Sequence, residues 1–318
     1  MKIRSLIRNI TVLAVIGVLV FGTVFNTTAY NAYAASKPAK VSGVKATAIS
    51  NYSIRVSWKK SKNAKSYQVY YSKKKSGKYT KIAKVKGTSF INSNLKKGTT
   101  YYYKVRAING KKTGSFSSVK AAKTLKSSLY DVTVDKSRKT VTISAKVNGK
   151  YFNESTRHFM VDQRGFNKGK AMLSSYCTPG DLYNGLVRAG GISWSKTAGK
   201  ALKNGEKNTI ANAENKNFSR LDITVSFDNK TFSLNDCVTT EKNGNKSPEI
   251  DMIFAANKDA AEKTPSGCMV CMDSCYIGIA ANCAYGLCVI DQGNPTLFAR
   301  PDVLPADGSI VKVTFKIK

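Results

Sequence analysis

Period-two alternation of apolar residues is the pattern that most limits what the N-terminal third of this chain can become. Ile54, Val56 and Trp58 alternate with polar residues, as do Tyr67, Val69 and Tyr71, and then Tyr101, Tyr103, Val105 and Ala107. Successive side chains of a strand point to opposite faces. Such runs, separated by Ser, Asn, Lys and Gly, therefore predict half-buried antiparallel strands. About 90 residues with roughly seven strands of this kind fit a β-sandwich.

Ile54-Arg55-Val56-Ser57-Trp58 resembles the second strand of a fibronectin type III domain with its core tryptophan, and Tyr67-Gln68-Val69-Tyr70-Tyr71 resembles the third. Leu95-Lys96-Lys97-Gly98-Thr99-Thr100-Tyr101 is similar to the Leu-x-x-Gly-Thr-x-Tyr run that makes that family's tyrosine corner. The resemblance covers residues 36–125. It implies a spacer or adhesive module without catalysis, with Tyr101 at the corner and Trp58 and Val105 in the core. No Arg-Gly-Asp occurs in the segment, so integrin binding is not carried over.

Charge divides the chain. Residues 36–125 hold 23 Lys and Arg and no Asp or Glu, and Asp131 is the first acidic residue of all. From Lys126 onward 26 basic residues face 19 acidic ones, a net of +7 against +33 for the whole. A domain boundary is therefore expected near Lys126. Lysine runs such as Lys73-Lys74-Lys75 protect exposed sheet edges. Uncompensated charge on this scale also creates a field that attracts polyanions. The expected partner is an anionic cell-wall polymer or polysaccharide, held in a salt-sensitive way. No recognition motif accompanies the charge, so specific nucleic-acid reading is not expected.

Lys2, Arg4 and Arg8 precede an apolar run over 10–25, and small residues end in Ala32-Tyr33-Ala34. That pattern predicts a signal peptide over 1–34, cleaved after Ala34, and a secreted, extracellular or surface-associated protein. The apolar run is shorter than the ~20 residues of a spanning helix. No integral membrane segment is expected in the mature chain.

Residues 127–318 read as an α+β domain of antiparallel strands with one or two helices, so the whole chain is expected to be mainly β. Tyr130-Asp131-Val132-Thr133-Val134 and 141–147 flank the turn 135–139 and predict a hairpin. Further strands are expected at 221–227, 231–234, 250–254, 287–291, 296–299 and 311–318. Thr178-Pro179-Gly180-Asp181 supplies an N-cap, a proline at the first helical position and a first-turn carboxylate. Leu182, Leu186 and Val187 give that helix an apolar stripe, and Gly190-Gly191 ends it. His158, the only histidine, reads as structural, because no acid and nucleophile pattern accompanies it.

The paired strands around Thr140 to Val147, the 169–191 segment running into Thr-Pro-Gly-Asp-Leu, and the late Gly-Cys-x-x-Cys-x-x-Ser-Cys block together resemble the YdjY-type domain of bacterial secreted and lipid-anchored proteins. The resemblance implies a His-Glu pair ahead of the helix, common in that family, where this chain has Ala171-Met172. The resemblance implies a fold and no assigned activity.

Five of the seven cysteines fall within 268–288. In an oxidising compartment the first expectation is disulfides, although an odd number leaves one thiol over. On a helix, the CxxCxxxC spacing of Cys268, Cys271 and Cys275 would bring three thiols to one face. They could then hold zinc or an Fe–S cluster, with Cys283 or Cys288 as fourth ligand. A redox pair at Cys268 and Cys271 is the third alternative; Met269 and Val270 supply no cation to lower a thiol pKa. GxSxG, HExxH, P-loop and dinucleotide motifs are all missing. The expectation is therefore a non-enzymatic binding protein without a cofactor, whose second domain presents a site for a ligand or protein partner. A metal, Fe–S or thiol redox protein is the alternative.

Overall fold

The computed structural model describes residues 36–194, 217–255, 266–273, 278–285, 290, 293 and 295–318. The leader expected at 1–34, most of the 201–219 stretch, Cys275, Cys288 and all of the strand expected at 287–291 except Ile290 lie outside the described residues.

Alternation in the basic segment produces strands β1 (Lys45–Ala48), β2 (Ile54–Ser57), β3 (Ser66–Ser72), β4 (Thr80–Val85), β5 (Ser89–Asn92), β6 (Thr100–Asn109), β7 (Lys112–Thr113) and β8 (Lys120–Lys123). One sheet has the order β1-β2-β5; the other runs β4-β3-β6-β7, with β8 also pairing with β6. Ile54, Val56 and Trp58 of the first meet Tyr67, Val69, Tyr103 and Val105 of the second in one buried cluster. Trp58 sets its ring edge-on to Tyr67 at 5.3 Å between centroids. The Tyr101 hydroxyl accepts a hydrogen bond from the Lys96 amide at 3.0 Å, which closes the expected tyrosine corner.

The second part of the chain adds β9 (Thr133–Asp135), β10 (Thr140–Val147), β11 (His158–Asp162), β12 (Leu173–Ser175), helix α1 (Pro179–Arg188), β13 (Leu221–Phe227), β14 (Lys230–Ser233), the one-turn helix α2 (Leu234–Cys237), β15 (Val238–Thr239), β16 (Met252–Phe254), β17 (Cys268–Cys271), β18 (Ala280–Asn282), β19 (Phe298–Ala299) and β20 (Ile310–Ile317). Ten strands form one sheet in the order β14-β13-β20-β10-β12-β11-β17-β18-β16, with β9 on β10, while β15 and β19 pair separately. The expected hairpin is β9 and β10, and Lys139 takes the positive φ of 53° that its turn requires.

Three expectations change. The large sheet is mixed, since β11 pairs with β12, and β17 with β18, in parallel. Leu234, expected in a strand, opens α2, because Ser233 and Asp236 form a reciprocal capping box there. Cys268 and Cys271 lie on strand β17 instead of a helix.

Helix α1 forms where its signals place it. Thr178 Oγ accepts from the Asp181 amide, the Asp181 side chain answers to the Thr178 amide, and Pro179 sits at the first helical position. Gly185 lets the helix lie close on the sheet: a Cβ there would stand 2.8 Å from Val132 Cγ1 and 3.0 Å from Val141 Cγ1. Both Asp181 oxygens also accept from the turn between β1 and β2, from Ser50 Oγ at 2.5 Å and Ser53 Oγ at 2.7 Å. All three residues are buried, so the helix cap is completed by a part of the chain more than a hundred residues away.

Candidate metal centre

Strand β11 carries His158 at its start, and β17 carries Cys268 and Cys271 at its two ends. They pair antiparallel, with His158 opposite Cys271, Met160 opposite Val270 and Val161 opposite Cys268. That register skips Met269 on one strand and Phe159 on the other. The skipped residues matter: on a regular strand, residues three apart face opposite sides, and one extra residue in the bulge restores the phase. Cys268 and Cys271 therefore converge on the side where His158 points.

One ligand atom each from His158, Cys268 and Cys271 lies within 4.8 Å of the other two. His158 Nδ1 is 3.3 Å from Cys268 Sγ. Donors bound to one zinc ion at about 2.0–2.3 Å stand roughly 3–4 Å apart, so small side-chain shifts suffice to close the group around an ion. The exposures of 7%, 4% and 1% leave it shielded from water. Thiolate sulfur and imidazole nitrogen are the donor types that take zinc and other borderline or soft transition metals.

The surroundings fix the ligands' backbone. The His158 amide donates to Thr156 Oγ1 at 3.1 Å, and its carbonyl accepts from Met172 at 3.1 Å. Arg157 Nε lies 3.5 Å from His158 Nε2, while Nδ1 faces the Cys268 sulfur. The Met272 amide donates to the Arg157 carbonyl at 3.0 Å, which holds the end of β17 to β11. Ahead of Cys268, Gly267 takes φ +75°, and a Cβ there would stand 2.9 Å from Gly165 Cα. Asp162 closes this end of the pair: its amide donates to the Gly267 carbonyl at 2.8 Å and its carboxylate takes Arg164 Nε at 2.7 Å. Burial pushes the Asp162 carboxyl up even against Arg164.

The structure thus brings together two of the four cysteines expected to hold a metal. Cys283 is outside the group: its sulfur lies 3.1 Å from both the carbonyl and Oδ2 of Asp251, which Arg220 holds at 2.9 and 2.7 Å. Burial and the Asp251 carboxylate push the Cys283 thiol up to about 12, the thiol form that donates to oxygen and not the thiolate that a metal needs. Cys275 is outside the described residues. No disulfide joins any two of Cys177, Cys237, Cys268, Cys271 and Cys283, so the disulfide framework expected first is not found among the described cysteines. The member of this group that the cysteine spacing does not announce is His158, expected above as structural. It lies 110 positions from its partner, and its one local signal is that it opens an apolar run, Phe159-Met160-Val161, of the kind a central strand needs.

No helix among the described residues is long and apolar enough to cross a membrane. A family model for the YdjY domain matches residues 132–316, and one for the fibronectin type III domain matches residues 38–122. The uncharacterized protein YdjY of Escherichia coli (strain K12) is 35% identical over 189 residues, which is 58% of this chain and 77% of that protein. Among solved structures, a Fn3-like protein from Clostridium thermocellum is 30% identical, covering 29% of this chain and 98% of its own, with a TM-score of 0.27. The FN5 domain of Drosophila Lar is 28% identical, covering 28% and 99%, with a TM-score of 0.25.

Proposed function

We propose that this chain, which belongs to the YdjY domain family and carries a fibronectin type III domain ahead of that domain, is a non-enzymatic binding protein whose YdjY domain holds a transition-metal ion between His158, Cys268 and Cys271. The observation that carries this reading is the convergence of one imidazole and two thiols, buried, within 4.8 Å. Zinc suits the set better than an Fe–S cluster, because cluster sites are built from four cysteines or from paired histidines and cysteines. With His158 in the group and Cys283 outside it, Cys275, four residues after Cys271, would complete a tetrahedral set.

The test is metal analysis and zinc titration of the full chain. One ion per chain in the parent, lost in His158→Ala, Cys268→Ser and Cys271→Ser alike, is the expected result. A metal-free protein whose Cys268 and Cys271 oxidise and reduce reversibly would replace this reading with the redox one.

A second reading concerns the basic domain. Its 23 positive charges with no acidic residue support salt-sensitive retention at anionic surface material, in a protein exported by the leader at 1–34. Release from cell-wall preparations on raising salt from 0.05 to 0.5 M is expected; retention unchanged across that range would remove it.

A further inference from the structure

The cations of the fibronectin type III domain are not spread evenly over it. In the sheet register Gln68 of β3 stands between Lys84 of β4 and Arg106 of β6, and Tyr70 stands between Lys81 and Lys104. A bulge in β4, which leaves Ile82 unpaired, puts Lys81 and Lys84 on the same face although they are three residues apart. Neighbouring strands lie about 4.8 Å apart and alternate residues about 7 Å, so four cations share a patch roughly 10 by 7 Å. Lys104 and Arg106 lie on a central strand, where protection of a sheet edge does not account for them. Like charges close together on one face weaken a sheet, and no acidic residue of the domain offsets them.

Three aromatic rings of this face, Tyr70, Tyr79 and Phe116, are already in use. Lys104 Nζ lies 4.3 Å from the centre of the Tyr79 ring and 4.2 Å from that of Phe116; the Arg106 guanidinium lies 4.9 Å from Phe116 and 5.2 Å from Tyr70. Arg106 also donates to Gln68 Oε1 at 2.8 Å and to Tyr70 Oη at 2.7 Å. The cations are thereby held in place, and each of these three rings has a face taken up by a cation. The Tyr70 hydroxyl donates to Gln68 Oε1 at 2.9 Å, so what the face offers between its fixed charges is the Gln68 side-chain NH2 as donor and a remaining lone pair of Tyr70 Oη as acceptor. A polymer that alternates carboxylates with hydroxyls matches it.

We propose that this face binds a carboxylated polysaccharide, with Lys81, Lys84, Lys104 and Arg106 meeting its carboxylates and Gln68 and Tyr70 its hydroxyls. The proposal rests on the reading that the basic domain holds anionic material, and it names the site and the chemical class. The test measures binding of the full chain to polygalacturonate at ~0.1 M salt, about one Debye length of 10 Å, with single-stranded DNA and polyphosphate as charged controls. Lys104→Gln/Arg106→Gln and, separately, Lys81→Gln/Lys84→Gln are expected to lower polygalacturonate affinity at least tenfold. Lys59→Gln/Lys62→Gln, which removes the same charge elsewhere, is expected to change it less than threefold. Equal losses from all three pairs would leave retention standing and overturn this site. Tighter binding of DNA or polyphosphate than of polygalacturonate would overturn the polymer class. No binding to any of the three would overturn both readings.

Discussion

At the scale of single residues, the proposed metal centre leans on Gly267. Its φ of +75° and its approach to Gly165 leave no room for a Cβ. Gly267→Ala is expected to cost about 2 kcal/mol in urea unfolding and, because Cys268 follows directly, to weaken zinc binding in the same protein. The thiols outside the centre behave differently. Burial, with Asp251 as a further cause for Cys283, pushes Cys237 and Cys283 up to about 12. At pH 8 iodoacetamide should spare both, and Asp251→Asn should quicken Cys283 several-fold while burial still restrains it. The sign for stability follows from the raised folded values: each group's contribution is whole below the ordinary thiol range near 9 and is lost as pH climbs toward 12. Unfolding free energy measured between pH 8 and 11 should therefore fall more steeply in the parent than in Cys283→Ala. The sequence states which cysteines are close in the chain, but not that one carboxylate has already engaged Cys283.

Elements show best what could be read in advance. Helix α1 was legible because its capping box, proline, apolar stripe and terminal glycines are local signals that agree with one another. The tyrosine corner was legible for the same reason. The cysteine strand was not: an offset of three suits a helix, and only the paired strand, with its extra residue Met269, brings the two thiols to one side. Nor does any local signal announce that Asp181 completes its hydrogen bonding with Ser50 and Ser53. Ser50→Ala and Ser53→Ala should each destabilise by about 1–3 kcal/mol, since a buried carboxylate loses a donor. Calorimetry of the double variant should resolve two transitions where the parent gives one; a single unshifted transition would count against the contact.

At the scale of the molecule, the segment joining the two domains is pinned. Asn51 donates to the Ser127 carbonyl at 2.7 Å and to Asp131 Oδ1 at 2.7 Å, and it accepts from the Ser127 amide at 3.1 Å. Asp131, the first acidic residue, also takes Lys97 Nζ at 2.7 Å. The connection near Lys126 is therefore tied by hydrogen bonds to the first domain, although its composition reads only as a boundary. Trypsin should cleave the loop at Lys73 to Lys75 well before Lys126, as mass spectrometry of a timed digest would show. Zinc at a hundred times its dissociation constant should raise unfolding free energy by about 2.7 kcal/mol, and chelation should abolish the rise. The bulges in β17 and β4 carry a consequence for how such a chain can change over generations. In each domain the proposed site depends on residues left out of the pairing, Phe159 and Met269 in one and Ile82 in the other, none of which is a ligand-binding residue in the proposal. Deleting Met269 or Ile82 alone would leave every proposed ligand-binding residue in place and turn one of them to the wrong side. These sites are encoded by counting as much as by spelling, so relatives that keep every cysteine and lysine but lose one position can keep the fold and lose the binding.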